Sequence, residues 1–290
     1  MELITNHFLP LTPWFFLLGT VIGSFLNVII LRYEAGKRPL GRSVCPHCDK
    51  RLLWYELIPV LSYLLQKGKC RTCGAHLSIQ YPLVEFLTGL LFSFIFLHVA
   101  ASPLTTNHFS LTTLVELVLH LVIWSTLIVI TVYDLRTKLI PDTFSATFAF
   151  FAVLVLIINH FTLTTNHFSL TPALWINLAA GPLLFLPFFL LWYISDGRWL
   201  GIGDGKLALG IGWFLGLSHG GSAIMVSFWI GAIVSLLLIA LQRAVRRHHP
   251  LSTTHSTLTL KSEIPFGPFL VLGTLATYAS GLSIFSYLLP

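Results

Sequence analysis

Two aspartates define the chemistry this chain can perform. Asp204 stands in Gly201-Ile202-Gly203-Asp204-Gly205-Lys206, between apolar runs. The glycines on either side strip away bulk, so backbone and substrate can approach the carboxylate closely. Asp134 closes the apolar run 121–133. A lone Asp is ordinarily a cap or a solvated loop charge. A pair can share a proton, one carboxylate activating water while the other protonates a leaving group. Asp142, behind Pro141, has an ordinary task as N-cap of a helix beginning near Thr143. Asp134 has none, because a helix C-terminus presents the negative end of the dipole to it. That asymmetry selects Asp134 as the partner of Asp204. It also predicts that Asp134 carries the shared proton while Asp204, at a helix N-terminus, activates water.

A second constellation is metal-like. Cys45-Pro-His-Cys48 and Cys70-Arg-Thr-Cys73 form a C-x2-C-x21-C-x2-C pattern close to a zinc ribbon. Four thiolates fill one tetrahedral site, so the role of the metal would be structural. Two disulfides, or free thiols, are the alternative, and a reducing cytoplasm disfavours the disulfides.

These residues need elements to position them. With 55% hydrophobic and 10% charged residues in a chain of 290, the composition specifies an all-α polytopic membrane protein. Apolar runs predict about eight transmembrane helices, near 11–31, 82–101, 113–133, 143–161, 173–194, 205–218, 221–241 and 266–288. The sixth is short and glycine-rich, and a re-entrant loop is its alternative. All 17 Lys and Arg residues fall on one side of this threading. The positive-inside rule then puts both termini outside and segment 32–81 in the cytoplasm. The expected domains are 1–31, a first helix with its N-terminus outside; 32–81, the small cytoplasmic zinc-binding segment; and 82–290, a seven-helix membrane domain. The net charge of +6 is therefore topological and does not indicate nucleic acid. The basic run 243–249 suits lipid headgroups. Gly201–Gly205 lacks the βαβ setting of a dinucleotide loop.

Within the first span, Gly23-Ser24-Phe25-Leu26-Asn27 suits close helix packing, and Asn27 is expected to form an interhelical hydrogen bond. Pro182 and Pro187 should kink the fifth span. Leu104-Thr-Thr-Asn-His-Phe-Ser-Leu-Thr112 recurs unchanged at 163–171, and 5–8 begins a third copy. His7, His108 and His167 could be read as a metal triad, but inserted loop peptides are the simpler reading.

In order along the chain, Gly23-Ser-Phe-Leu-Asn-Val28, the two cysteine pairs, Trp54-Tyr-Glu-Leu-Ile-Pro59, Tyr81-Pro-Leu-Val-Glu85, Asp134 with Ile140-Pro141-Asp142, Gly201-Ile-Gly-Asp204 and Pro265-Phe-Gly-Pro268 resemble the bacterial prepilin peptidases. These are the type IV leader peptidases, GxGD membrane aspartic proteases. The resemblance implies cleavage of a basic leader from type IV pilus prepilins and type II secretion pseudopilins. The site would face the cytoplasm from the bacterial inner membrane. Asp134 and Asp204 correspond to the catalytic pair, with Gly201 and Gly203 as its frame. The four cysteines place the chain with members that also N-methylate the new terminus from S-adenosylmethionine. Because such leaders are basic, Glu85, Asp142 and Asp196 are candidate leader contacts. A GxGD protease with other substrates is the related alternative. A proton-coupled transporter would need acids through the membrane thickness, and a zinc-bearing scaffold would need no paired acids.

Overall fold

A computed structural model describes residues 8–36, 41–101, 111–163, 172–248 and 264–285. The repeated TNHF segments, apart from a few flanking residues, lie outside these ranges, as do His7, His108 and His167. The described chain is helical. It comprises α1 (Thr12–Glu34), the short α2 (Leu61–Leu65), α3 (Gln80–Ala100), α4 (Leu111–Thr137), α5 (Asp142–Leu163), α6 (Pro172–Ile194), α7 (Ile202–His248) and α8 (Gly267–Ser280). Among the described residues, six helices are long and apolar enough to cross a membrane. One of them, α7, breaks at Gly216 (φ 77°, ψ 177°), a backbone setting that requires glycine. Beyond the break the chain folds back, since a Cβ on Gly220 would lie 3.4 Å from the Gly212 Cα. The two arms of α7 correspond to the sixth and seventh expected spans, and α8 to the eighth. At 14 residues, α8 is only about 21 Å long, less than the roughly 30 Å of a bilayer core. It ends at Ser280, with Gly281 in the left-handed region (φ 64°), earlier than the predicted 288.

The chain divides into two compact units, Met1–Val132 and Tyr133–Pro290, with the boundary inside α4. In the first, α1 packs on α3. Glycines set the spacing: a Cβ on Gly19 would stand 2.7 Å from the Gly89 Cα, and one on Gly23 would stand 2.8 Å from the Glu85 Cα. Asn27, 1% exposed, donates to the Tyr81 carbonyl at 3.2 Å, the interhelical bond its position demanded.

In the second unit, α7 packs on α5, α6 and α8. Pro182 and Pro187 lie inside α6. Pro182 has no N–H to offer the Leu178 carbonyl one turn earlier. The Trp213 indole of α7 supplies the missing donor at 2.8 Å. Close approach makes this possible, because a Cβ on Gly212 would lie 2.7 Å from the Gly181 Cα. Trp213→Phe keeps most of the ring but leaves that carbonyl without its donor. It should destabilise the protein by about 1–3 kcal/mol, read as a lowered melting temperature in detergent. Pro182→Ala in the same background should restore part of the loss.

Candidate active site and metal site

Asp134 lies in the last turn of α4, whose carbonyl chain ends with the Lys138 N–H bonded to the Asp134 oxygen at 2.8 Å. Lys138 takes φ 56°, which turns the chain sharply out of the helix. The extended link through Ile140 and Pro141 then leads into α5. Asp204 lies in the first turn of α7, with its N–H bonded to the Gly201 carbonyl at 3.2 Å. Both aspartates belong to the second unit and are nearly buried, 3% and 8% exposed. Ile140 lies against the glycines beside both of them.

The glycines account for that proximity. Ile140 packs where a Gly203 side chain would be, its Cβ 2.8 Å from that position. The same Ile140 reaches 3.3 Å from the corresponding position on Gly267. Gly201 leaves room beside the Asp204 carboxylate, whose Oδ2 is 3.5 Å from its missing Cβ. Ile140 therefore joins the two halves of the site, and larger residues at 203 or 267 would push them apart.

Gly267 is the functional residue that reading from sequence missed. It opens α8, and its N–H, one of the unpaired donors of a helix start, points at Asp134 Oδ2 at 3.0 Å. A Cβ there would stand 2.6 Å from the same oxygen. Pro268 at the second helical position was the available sign of a helix N-terminus. Gly267→Ala should move the Asp134 carboxylate by a fraction of an ångström. A shift of that order should lower kcat/KM by roughly 10²-fold at an almost unchanged melting temperature. Loss of activity with a collapsed melting temperature would mean a packing defect instead.

The three candidate leader contacts separate in the structure. Asp142 is exposed at the start of α5 and pairs with Lys206 of α7 at 2.5 Å. Asp196 sits exposed in the turn after α6, with φ 49°. Glu85 is buried in the first unit, where its Oε2 accepts the Val60 N–H at 2.7 Å.

The four cysteine sulfurs in the first unit lie within 4.8 Å of one another and could hold a metal ion. They are held by two copies of one turn. Cys45 donates to the Lys50 carbonyl and accepts the Asp49 N–H; Cys70 donates to the Ala75 carbonyl and accepts the Gly74 N–H. The bridges Val44–Arg51 and Lys69–His76 close both turns. Asp49 and Gly74 hold the matching left-handed position, at φ 53° and 69°. None of the four is in a disulfide. The amide N–H groups of Cys73 and Thr72 draw the Cys70 thiol down to about 6. Cys48 has the Lys50 backbone in favour of its thiolate, yet burial and the Cys45 and Cys73 thiols push it up to about 11. Sulfurs crowded this closely without a cation repel as thiolates, which is the electrostatic setting a divalent ion relieves.

A polytopic helical membrane protein with two buried carboxylates on glycine-framed helix ends and a separate four-thiol cluster is a narrow class. Residues 17–99 match the Bacterial Peptidase A24 N-terminal domain, and residues 121–236 match the type IV leader peptidase family. A relative from Bacillus subtilis (strain 168), named prepilin leader peptidase/N-methyltransferase, is 32% identical over 94% of this chain and 95% of its own length. One of the same name from Stutzerimonas stutzeri is 28% identical over 94% and 91%. A Myxococcus xanthus relative reaches 50% identity over 93 residues, 31% of this chain and 27% of that one. No solved structure matches. The chain belongs to the type IV leader peptidase family.

Proposed function

We propose that this protein is a prepilin leader peptidase that also N-methylates the terminus it creates. The burial of Asp134 and Asp204, with Ile140 packed against the glycines beside both, is the observation that supports the peptidase half. Two interacting carboxylates resist double ionisation, so a single proton is shared between them. The anionic partner deprotonates a water molecule, which attacks the scissile carbonyl, and the protonated partner delivers its proton to the departing amine.

The Gly267 N–H bears on which partner is which. A hydrogen bond to a carboxylate is worth about 1.5–3 kcal/mol, against about 0.3–1 kcal/mol for a helix dipole. The donor aimed at Asp134 Oδ2 therefore outweighs the dipole of α4. The sequence reading placed the proton on Asp134; with this donor, Asp134 is assigned the base and Asp204 the initial acid. A vibrational band for the protonated carboxyl should then vanish in Asp204→Asn and persist in Asp134→Asn.

The exposed Asp196 suits a basic leader best, since the Asp142 carboxylate is paired with Lys206 and that of Glu85 is engaged by Val60. The four cysteines hold a structural zinc, since a closed thiolate set leaves no open position for catalysis. S-adenosylmethionine is the methyl donor that the N-methyltransferase relatives suggest. The active site faces the cytoplasm from the inner membrane, an orientation that the one-sided Lys and Arg support. Purified protein should shorten a prepilin at a single bond, as shown by N-terminal sequencing of the product. Cleavage at scattered bonds, or none with well-folded protein, would sink the reading.

A further inference from the structure

The short helix α2 has its polarity reversed. Ser62, Tyr63 and Gln66 line the cavity beneath it, beside the end of α1, while Leu61, Leu64 and Leu65 are 50%, 63% and 67% exposed. The turn before it repeats the pattern, with Glu56 buried and Trp54 78% exposed. In water an amphipathic helix buries its apolar face, so something other than water covers this one. Its depth identifies the cover. Gly23 of α1 abuts α3, since a Cβ there would stand 2.8 Å from the Glu85 Cα. Arg32 is the first charged residue in α1, nine residues further on (32 − 23), or about 13 Å along the axis. Glu85 therefore lies beside the apolar length of α1, and its Oε2 accepts the Val60 N–H at 2.7 Å. Val60, at φ 60° and ψ −52°, centres a γ-turn closed by the Leu61 N–H on the Pro59 carbonyl. Such a strained turn persists only where its surroundings hold it, and Glu85 is the hold. Even with the Glu85 side chain reaching back toward the start of α3, Val60 stays short of the level of Arg32. An exposed apolar stripe, Ile79, Leu83 and Leu87, begins at the same end of α3.

The charges agree with that depth. Lys50, Arg51, Lys67, Lys69 and Arg71 flank the apolar turn and are exposed. From 50 to 79 the sequence has a single acid, the buried Glu56. The Arg71 guanidinium lies over the Tyr55 ring, 5.1 Å from its centre, at the edge of the same turn. Basic groups beside an apolar face suit anionic headgroups above acyl chains. We infer that residues 53–65 form an interfacial membrane anchor. Leu53, Trp54, Ile58, Leu61, Leu64 and Leu65 enter the lipid leaflet at the Arg32 end of α1, and the flanking Lys and Arg side chains meet its phosphates. The anchor keeps the cysteine turns at the membrane surface, and it does not depend on the peptidase reading.

Trp54 is a built-in probe. The full-length protein is reconstituted into vesicles of phosphatidylcholine and phosphatidylglycerol, and Trp54 emission is read as the parent minus Trp54→Phe. Lipid brominated near the headgroup end of its acyl chains should quench that difference at least about two-fold, because an interfacial face sits roughly 5–10 Å deep. Lipid brominated near the methyl end should quench it less, and acrylamide in the water hardly at all. Quenching by acrylamide but not by either lipid would show a solvated loop and overturn the anchor. Quenching by none of the three would mean that protein covers the face, a second copy of this chain or a substrate, and would overturn it as well. Stronger quenching from the methyl end would contradict an interfacial seat. Should Trp54→Phe lose its metal or its melting transition, Leu65→Trp supplies the probe on the same face. Its added emission must then be quenched by the headgroup-end bromines, and the anchor falls if it is not.

Discussion

Asp134→Asn and Asp204→Asn should each abolish leader cleavage while leaving melting temperature and metal content near those of the parent. Acid–base catalysis by one positioned group contributes roughly 10²–10⁴-fold, and in a dyad the loss of either partner removes both functions. The double variant should therefore be hardly worse than either single one. Stability is expected to survive because Asn keeps the shape and can still accept the Gly267 N–H, the contact seen at 3.0 Å. Burying two acids 3% and 8% exposed costs free energy, so Asn at either position should leave stability unchanged or improve it. Additive single-variant losses would contradict a coupled pair.

Removal of the metal should have the second large effect, on a different activity. Among the described residues, the first unit's cysteine segment contains only short helical turns and isolated bridges, so a bound metal would supply much of its order. Thiolate zinc sites bind with about 10–16 kcal/mol, and that free energy is folding free energy. Cys70→Ser should lose bound zinc and make segment 41–79 protease-sensitive. It should lower methylation by roughly ten-fold or more. Cleavage should fall far less, because Asp134 and Asp204 lie in the other unit. Protons compete with metal for thiolates, so zinc retention should weaken as pH falls toward about 6, where the Cys70 thiol itself titrates. Equal loss of both activities would show that the two units do not act separately.

The features legible in the sequence were those that short-range chemistry dictates. Asn27 could not be buried in an apolar span without a partner, and it has the Tyr81 carbonyl. The cysteine spacing required converging sulfurs, and they converge. Gly-x-Gly-Asp read as room for a carboxylate, and Ile140 packs into part of that room. The features that were not legible depend on where distant elements meet. Gly267 reaches Asp134 across 133 residues, and no local pattern marks a backbone N–H as a ligand for a particular carboxylate. Trp213 carries no local mark of its role, because its partner is the Leu178 carbonyl that Pro182 leaves without a donor. The break at Gly216 could be suspected from glycine content alone, but its left-handed φ is a property of the folded chain. One signal was present and went unread. The two cysteine turns share their hydrogen bonds at a constant sequence offset, Asp49 matching Gly74 at the left-handed position, and aligning them would have revealed the repeated turn.

Intact-mass analysis of a purified prepilin incubated with this protein, with and without S-adenosylmethionine, tests the central claim most directly. Without the methyl donor, the product should have lost only its leader, and with it the product should be heavier by one methyl group. Asp204→Asn should give neither change. A prepilin that keeps its full mass in the presence of folded, metal-bearing parent protein would contradict the account.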